Sequence, residues 1–245
     1  MFRTFLFAAI SLIFITNANA ETKYEELEVG SVVKGKIVTG SFGRGISLPP
    51  GDWLTVTKRS DELEFHYGNT IRKMPRYFFT LFNQNATSSQ IPAIVVYFTP
   101  DALDINWGNQ KCQNKNEKAI IDDFGTTPDS TLYICATTFS NSKFKKTLEN
   151  AATSKNKFVQ FNLSGLTEHS AEIPDDIIET SVYANRFRGI AVGYIFYAKR
   201  VADPFSNESY MQYVKDLTHT LGLAVGDVAQ NKDSAFALPP EFSVQ

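Results

Sequence analysis

Three histidines, His66, His169 and His219, and two cysteines, Cys112 and Cys135, are the side chains best suited to acid–base, metal or thiol chemistry. No histidine stands at a ligand spacing from another His, Cys or carboxylate, so the spacing implies neither a metal nor a cofactor. His219 follows Asp216 by three residues, which on a helix makes a surface pair. There is no Gly-x-Ser-x-Gly elbow for a serine hydrolase. Asp122-Asp123 and Asp175-Asp176 are adjacent carboxylates, which point to opposite faces of a strand or into solvent at a turn. A glycosidase pair can be drawn from carboxylates anywhere in a chain, and nothing in these spacings favours one. Arg186 and Arg188, at i and i+2, would share a strand face and could fork onto a carboxylate or phosphate. The plainer reading is a solvated face, or pairing with Asp175, Asp176 and Glu179. Gly40-Ser41-Phe42-Gly43-Arg44-Gly45 matches neither dinucleotide nor P-loop spacing and reads as a hairpin tip. No catalytic or metal residue is therefore assigned, and the binding residues stay open.

The two thiols point instead to compartment. Met1-Phe2-Arg3-Thr4 carries one positive charge, Phe5 to Ile15 is apolar, and Ala18-Asn19-Ala20 supplies a small-x-small cleavage pattern. Residues 1–20 thus read as a signal peptide cut after Ala20, and the apolar run is too short to span a bilayer. The expectation is a periplasmic or secreted protein, with residues 21–245 as one mostly β domain and no membrane span after cleavage. In an oxidising compartment Cys112 and Cys135 are expected to bond to each other. The signal holds one of the 24 basic residues and none of the 26 acidic ones, so the mature chain carries 23 against 26, a net −3. That balance offers no field for phosphate backbones, which excludes nucleic acid as an expected partner. Three Asn-x-Ser/Thr sequons, at Asn85, Asn162 and Asn207, would matter only in a eukaryotic secretory pathway.

The elements that must position any site follow from periodicity. Val32–Thr39 reads as a strand. Leu48-Pro49-Pro50-Gly51-Asp52-Trp53 reads as a type II turn that opens a strand over Trp53–Thr57 and pins its hairpin, with Trp53 as a core anchor. Glu62–Tyr67 alternates, placing His66 on the wetter face. Tyr77–Phe82 and Ile94–Phe98 are apolar on both faces, as buried strands are. Thr131–Phe139, Phe158–Leu163, Ile177–Tyr183 and a long run from Phe187 to about Val201 complete the strands. In the last of these, Gly189 and Gly193 suggest bends or bulges. A short helix over Ser142–Ala152, capped by Ser142, places Phe144, Leu148 and Ala151 on one face. A second helix, from about Glu208 to Val228 with Asn207 as cap, carries the stripe Tyr210, Val214, Leu217, Leu221, Val225 and Val228. The fold class expected is α+β and mostly β: an antiparallel sheet with the late amphipathic helix packed on it and one short additional helix. Phe242-Ser243-Val244-Gln245 at the end, and the lack of alternation in Tyr77–Phe82, argue against an outer-membrane barrel.

The early strand, the Leu48-Pro49-Pro50-Gly51-Asp52-Trp53 motif and a terminal helix after a long aromatic strand together resemble a family of uncharacterised exported proteobacterial proteins. The resemblance covers both ends of the chain, brings no functional residue with it, and implies a Gram-negative envelope setting. The functional expectation is a non-enzymatic binding or accessory protein of the envelope, engaging an unknown envelope protein or a small ligand. The alternative is a periplasmic hydrolase whose site is assembled from scattered residues.

Overall fold

The computed structural model describes residues 21–39, 44–67, 70–102, 119–126, 132–186, 189–234 and 236–243. The expected signal peptide, the Gly-rich tip at 40–43, Cys112 and Arg188 lie outside them, as does the side chain of His66.

The described chain is mostly β, as composition and alternation predict. Its main sheet contains β5 (Trp53–Tyr67), β6 (Thr70–Asn83), β7 (Ala93–Ala102), β8 (Ile120–Thr126), β9 (Leu132–Asn141), β10 (Ile177–Arg186) and β11 (Gly189–Lys199), extended at one edge by the two-residue β2 (Val32–Val33). The order is β2-β5-β6-β7-β11-β10-β9-β8, and every described pairing in it is antiparallel. Two meanders therefore run inward from opposite edges and meet at β7 and β11. A small sheet of β1 (Glu21–Lys23), β3 (Lys36–Thr39) and β4 (Arg44–Ser47) sits beside it, with β1 parallel to β3.

The single strand expected over Val32–Thr39 is broken in two, because Gly35 takes a φ of 71° that side chains with a Cβ rarely adopt. The Pro50-Gly51 turn does not close a hairpin. β4 pairs with β3 and β5 with β6, so the motif is the corner where the chain leaves one sheet for the other. Gly51 supplies positive φ there, at 147°, and Trp53 is fully buried with its Nε1 donating to the Pro49 carbonyl at 2.8 Å. Trp53–Thr57 and Glu62–Tyr67 are one strand, interrupted only by a bulge between Thr55 and Thr57.

Alternation divides the sheet's residues between two faces. One face presents Leu81, Val96, Ile134, Val182 and Phe196 to helix α3 (Glu208–Ala229), to the small sheet and to Phe236 of the tail. The whole stripe from Tyr210 to Val228 is buried, and Asn207 caps the helix by accepting from the Tyr210 amide at 2.9 Å. Gly226 lies in the seam, where an added Cβ would stand 2.4 Å from Ile134 Cδ1. Across the same seam Thr138 joins Thr218 of the helix at 2.7 Å and Thr180 of β10 at 2.9 Å.

The second face is covered at one end by α1 (Phe144–Glu149), α2 (Lys157–Leu163) and a 3-10 segment, Ser164–His169, packed on Phe82, Val95, Ile195 and Tyr197. Here two expectations are corrected. Phe158–Leu163 is helical, because Asn156 accepts from the amides of Phe158 and Val159 and so starts a helix that a six-residue apolar run cannot distinguish from a strand. Ser142 does not cap α1; Lys143 holds that position without a side-chain bond.

Candidate functional site

The face opposite α3 carries the arrangement with most chemical content. One register row crosses six strands on that face: Arg59 of β5 stands opposite Phe78 of β6, Phe78 opposite Tyr97 of β7, Tyr97 opposite Gly193 of β11, Gly193 opposite Tyr183 of β10, and Tyr183 opposite Cys135 of β9. Gly193 is no bulge. Its missing Cβ is the space the Tyr97 ring occupies, since a Cβ there would fall 2.0 Å from Tyr97 Cζ. The register shift belongs to Gly189, between it and Ala191. Tyr133, Cys135 and Tyr183 form a small buried cluster against Tyr97. Burial pushes the Tyr97 hydroxyl up to about 12, with Arg76 pulling the other way.

At the β5 end the row becomes a stack of cations and rings. The Arg59 guanidinium carbon lies 4.1 Å from the centroid of Phe78 and 4.9 Å from that of Phe161, which α2 brings across from above. Arg76, two residues before Phe78 on the same face, covers the same ring at 4.7 Å. Such contacts favour a flat guanidinium over the negative face of a ring. Asp61 stands opposite Arg76 and is bound bidentately by it, Nε to Oδ1 and Nη2 to Oδ2, each at 2.9 Å. That hydrogen bonding holds the Asp61 carboxyl below its usual range. Each carboxylate oxygen thus accepts from Arg76, and the Asp61 charge also attracts Arg59. No described residue accepts a hydrogen bond from the Arg59 side chain, and its Nε is buried. The main chain at Arg59 is fixed separately, by the Tyr24 hydroxyl donating to its carbonyl at 2.7 Å.

Beside this stack lies Asn162, the residue after Phe161. It is 1 % exposed, and neither atom of its amide has a partner, while its carbonyl accepts from the Thr80 hydroxyl at 2.6 Å. Thr80 is two residues along β6 from Phe78, on the same face. Burial also removes Asn162 as a glycosylation acceptor.

Those of the residues singled out for chemistry whose side chains are described are not brought together. His169 stacks on Phe82 at 4.2 Å, with Nδ1 3.4 Å from Glu172. His219 is exposed on α3, and the Asp216 carboxylate accepts from Gln212 at 2.9 Å. Asp175 accepts from the Lys145 amide, and Asp176 pairs with Arg200 at 2.9 Å, so this acidic couple anchors the turn before β10. Arg186 reaches the Gln230 carbonyl at 3.5 Å rather than those acids, which lie at the far end of its strand. Asp122 and Asp123 stand in β8, with Asp123 opposite Cys135; the pairing of Cys112 with Cys135 lies outside the described residues. Among the described residues no group of His, Cys, Asp and Glu is placed to hold a metal, and no helix is long and apolar enough to cross a membrane.

Arg59 escaped the reading of the sequence, yet a signal for it exists. Gly68-Asn69 is a two-residue hairpin dipeptide between alternating runs. Pairing outward from Tyr67 and Thr70 sets Asp61 against Arg76, and Arg59 against Phe78 once the strands are extended. The approach of Phe161 has no such signal, because it depends on how α2 docks. No protein-family model matches this chain, and no curated protein or solved structure matches it significantly.

Proposed function

We propose that this chain is exported, released from its signal peptide after Ala20, and acts in the periplasm or outside the cell as a non-enzymatic binding protein of the cell envelope. Its contact surface is the Phe161–Arg59–Phe78 stack. The observation that carries this reading is Arg59 itself: two rings hold the guanidinium, and none of its donors is taken by a described residue. The nearby Asp61 attracts Arg59 electrostatically but gives both of its hydrogen-bonded oxygens to Arg76, so no described acid hydrogen-bonds the Arg59 guanidinium. An arginine fixed in this way has already lost its rotamer freedom on folding, so binding through it costs less entropy. Phe161, 46 % exposed, adds apolar surface beside it.

The test is a photo-crosslinking residue placed at Phe161 in the full chain, in cells that export it, with a matched probe at exposed Leu223 on α3. Adducts identified by mass should form at Phe161, not at Leu223, and should vanish with Arg59→Ala. Absence of adducts at Phe161, or adducts indifferent to Arg59→Ala, would overturn the reading.

A further inference from the structure

Resting on that reading, we infer that the group recognised beside Arg59 is an oxyanion, a carboxylate or a phosphate, carried on an apolar or aromatic body. Three observations converge on it. The first is charge. Arg59, Arg76 and Lys157 surround the Phe78 and Phe161 rings, with Lys157 Nζ 5.8 Å from the Phe161 centroid, and against these three cations the single carboxylate of Asp61 faces Arg76 and Arg59. This positive locality stands on a mature chain whose net charge is −3.

The second is unspent donor capacity. A guanidinium carries five N–H groups in a planar fork that matches two oxygens of a carboxylate or phosphate. The buried Nε of Arg59 and both amide atoms of Asn162 are orphaned at one junction of β5, β6 and α2. Leaving buried polar atoms unbonded costs free energy. An oxyanion accepts from the Arg59 fork, whereas a cation would meet repulsion and a neutral apolar group would leave the donors unmet.

The third is the exposed half of Phe161, which offers a ligand's apolar body a surface continuous with the site of its charge. Arg59 is the residue that confers specificity here, and Phe161 adds a platform.

The experiment titrates the processed protein, purified from the periplasm, with benzoate, phenyl phosphate, inorganic phosphate, benzyl alcohol and benzylamine, following heat of binding and amide NMR shifts. Benzoate or phenyl phosphate should bind in the millimolar range or tighter, shift resonances around Phe161 and Thr80, and weaken as salt rises. Which of the two binds more tightly distinguishes a carboxylate from a phosphate source. Arg59→Lys should lose roughly tenfold in affinity, since a point charge replaces a fork, and Arg59→Gln should lose binding altogether. Phe161→Ala, which removes the apolar platform and one of the two rings that hold Arg59, should weaken the aromatic anions more than inorganic phosphate. Anion binding that survives Arg59→Gln overturns the inference, as does equal binding of benzylamine or benzyl alcohol. Filling of the junction by an ordered water only, with no anion shifting any resonance, overturns it too. In each of these cases crosslinks at Phe161 can persist, so the binding reading and the nature of its ligand fail separately.

Discussion

Glu179 shows how one side chain can couple this fold to pH. It lies on β10 between Phe139 and Tyr197, and burial lifts its carboxyl above the usual 4.5. A folded-state pKa raised above the unfolded one favours the protonated form. Its stabilising contribution is fully present below about 4.5 and is lost as the pH rises through the elevated value. Glu179→Gln keeps the shape and removes the ionisation. The variant should therefore gain stability over the wild type as pH rises from about 4 to about 8, and match it at the acid end. Melting temperature against pH for both proteins checks this, and parallel curves would show that the carboxyl ionises without cost. Little at this scale is legible before the register is known. Glu179 sits in an ordinary alternating run, and its environment is set by neighbours 18 residues ahead, at Tyr197, and 40 behind, at Phe139.

Helix α3 is the element most fully written in the sequence, since a 3.6-residue stripe six positions long has no strand alternative. Truncating Leu217, fully buried in that stripe, to alanine should cost about 2–5 kcal/mol, seen as a melting temperature lower by several degrees or more. Lys215→Ala, on the exposed face, should change stability by less than about 0.5 kcal/mol. Equal melting of the two variants would mean the seam is looser than its packing implies. The shorter elements were harder to read for a physical reason. In Phe158–Leu163 the apolar content suits either state, and the decision falls to Asn156, two residues before the expected strand. Gly193 reads as a weak point in a strand, whereas the reason for it is the Tyr97 ring on the neighbouring strand, invisible without the β7–β11 pairing. The site at Arg59 shares this division. Its half on the β5–β6 hairpin follows from a two-residue turn, and its half on α2 follows from docking alone.

For the molecule as a whole, export and oxidation are one question. Protein recovered from the periplasm should begin at Glu21, and peptide mapping without reductant should join Cys112 to Cys135; an intact residue 1–20 segment or two free thiols would refute the respective claims. Closing a loop of about 24 residues contributes roughly 3–4 kcal/mol in the chain-entropy picture, so reductant should lower the melting temperature. The strand order carries a consequence of another kind, for how this chain reaches its fold. Strands β5 to β7 form through short turns, and so do β10 and β11, but the seam joining the two meanders pairs Val95 with Ile195, 100 residues away. Contacts so distant in sequence repay their loop-closure entropy only after the local hairpins exist. The centre of the sheet is thus expected to assemble last, which folding and unfolding rates of variants at Val95 and Ile195 would check. Losses of packing at Val95 or Ile195 then act on the lifetime of the folded state, hastening unfolding and leaving the speed of folding nearly unchanged.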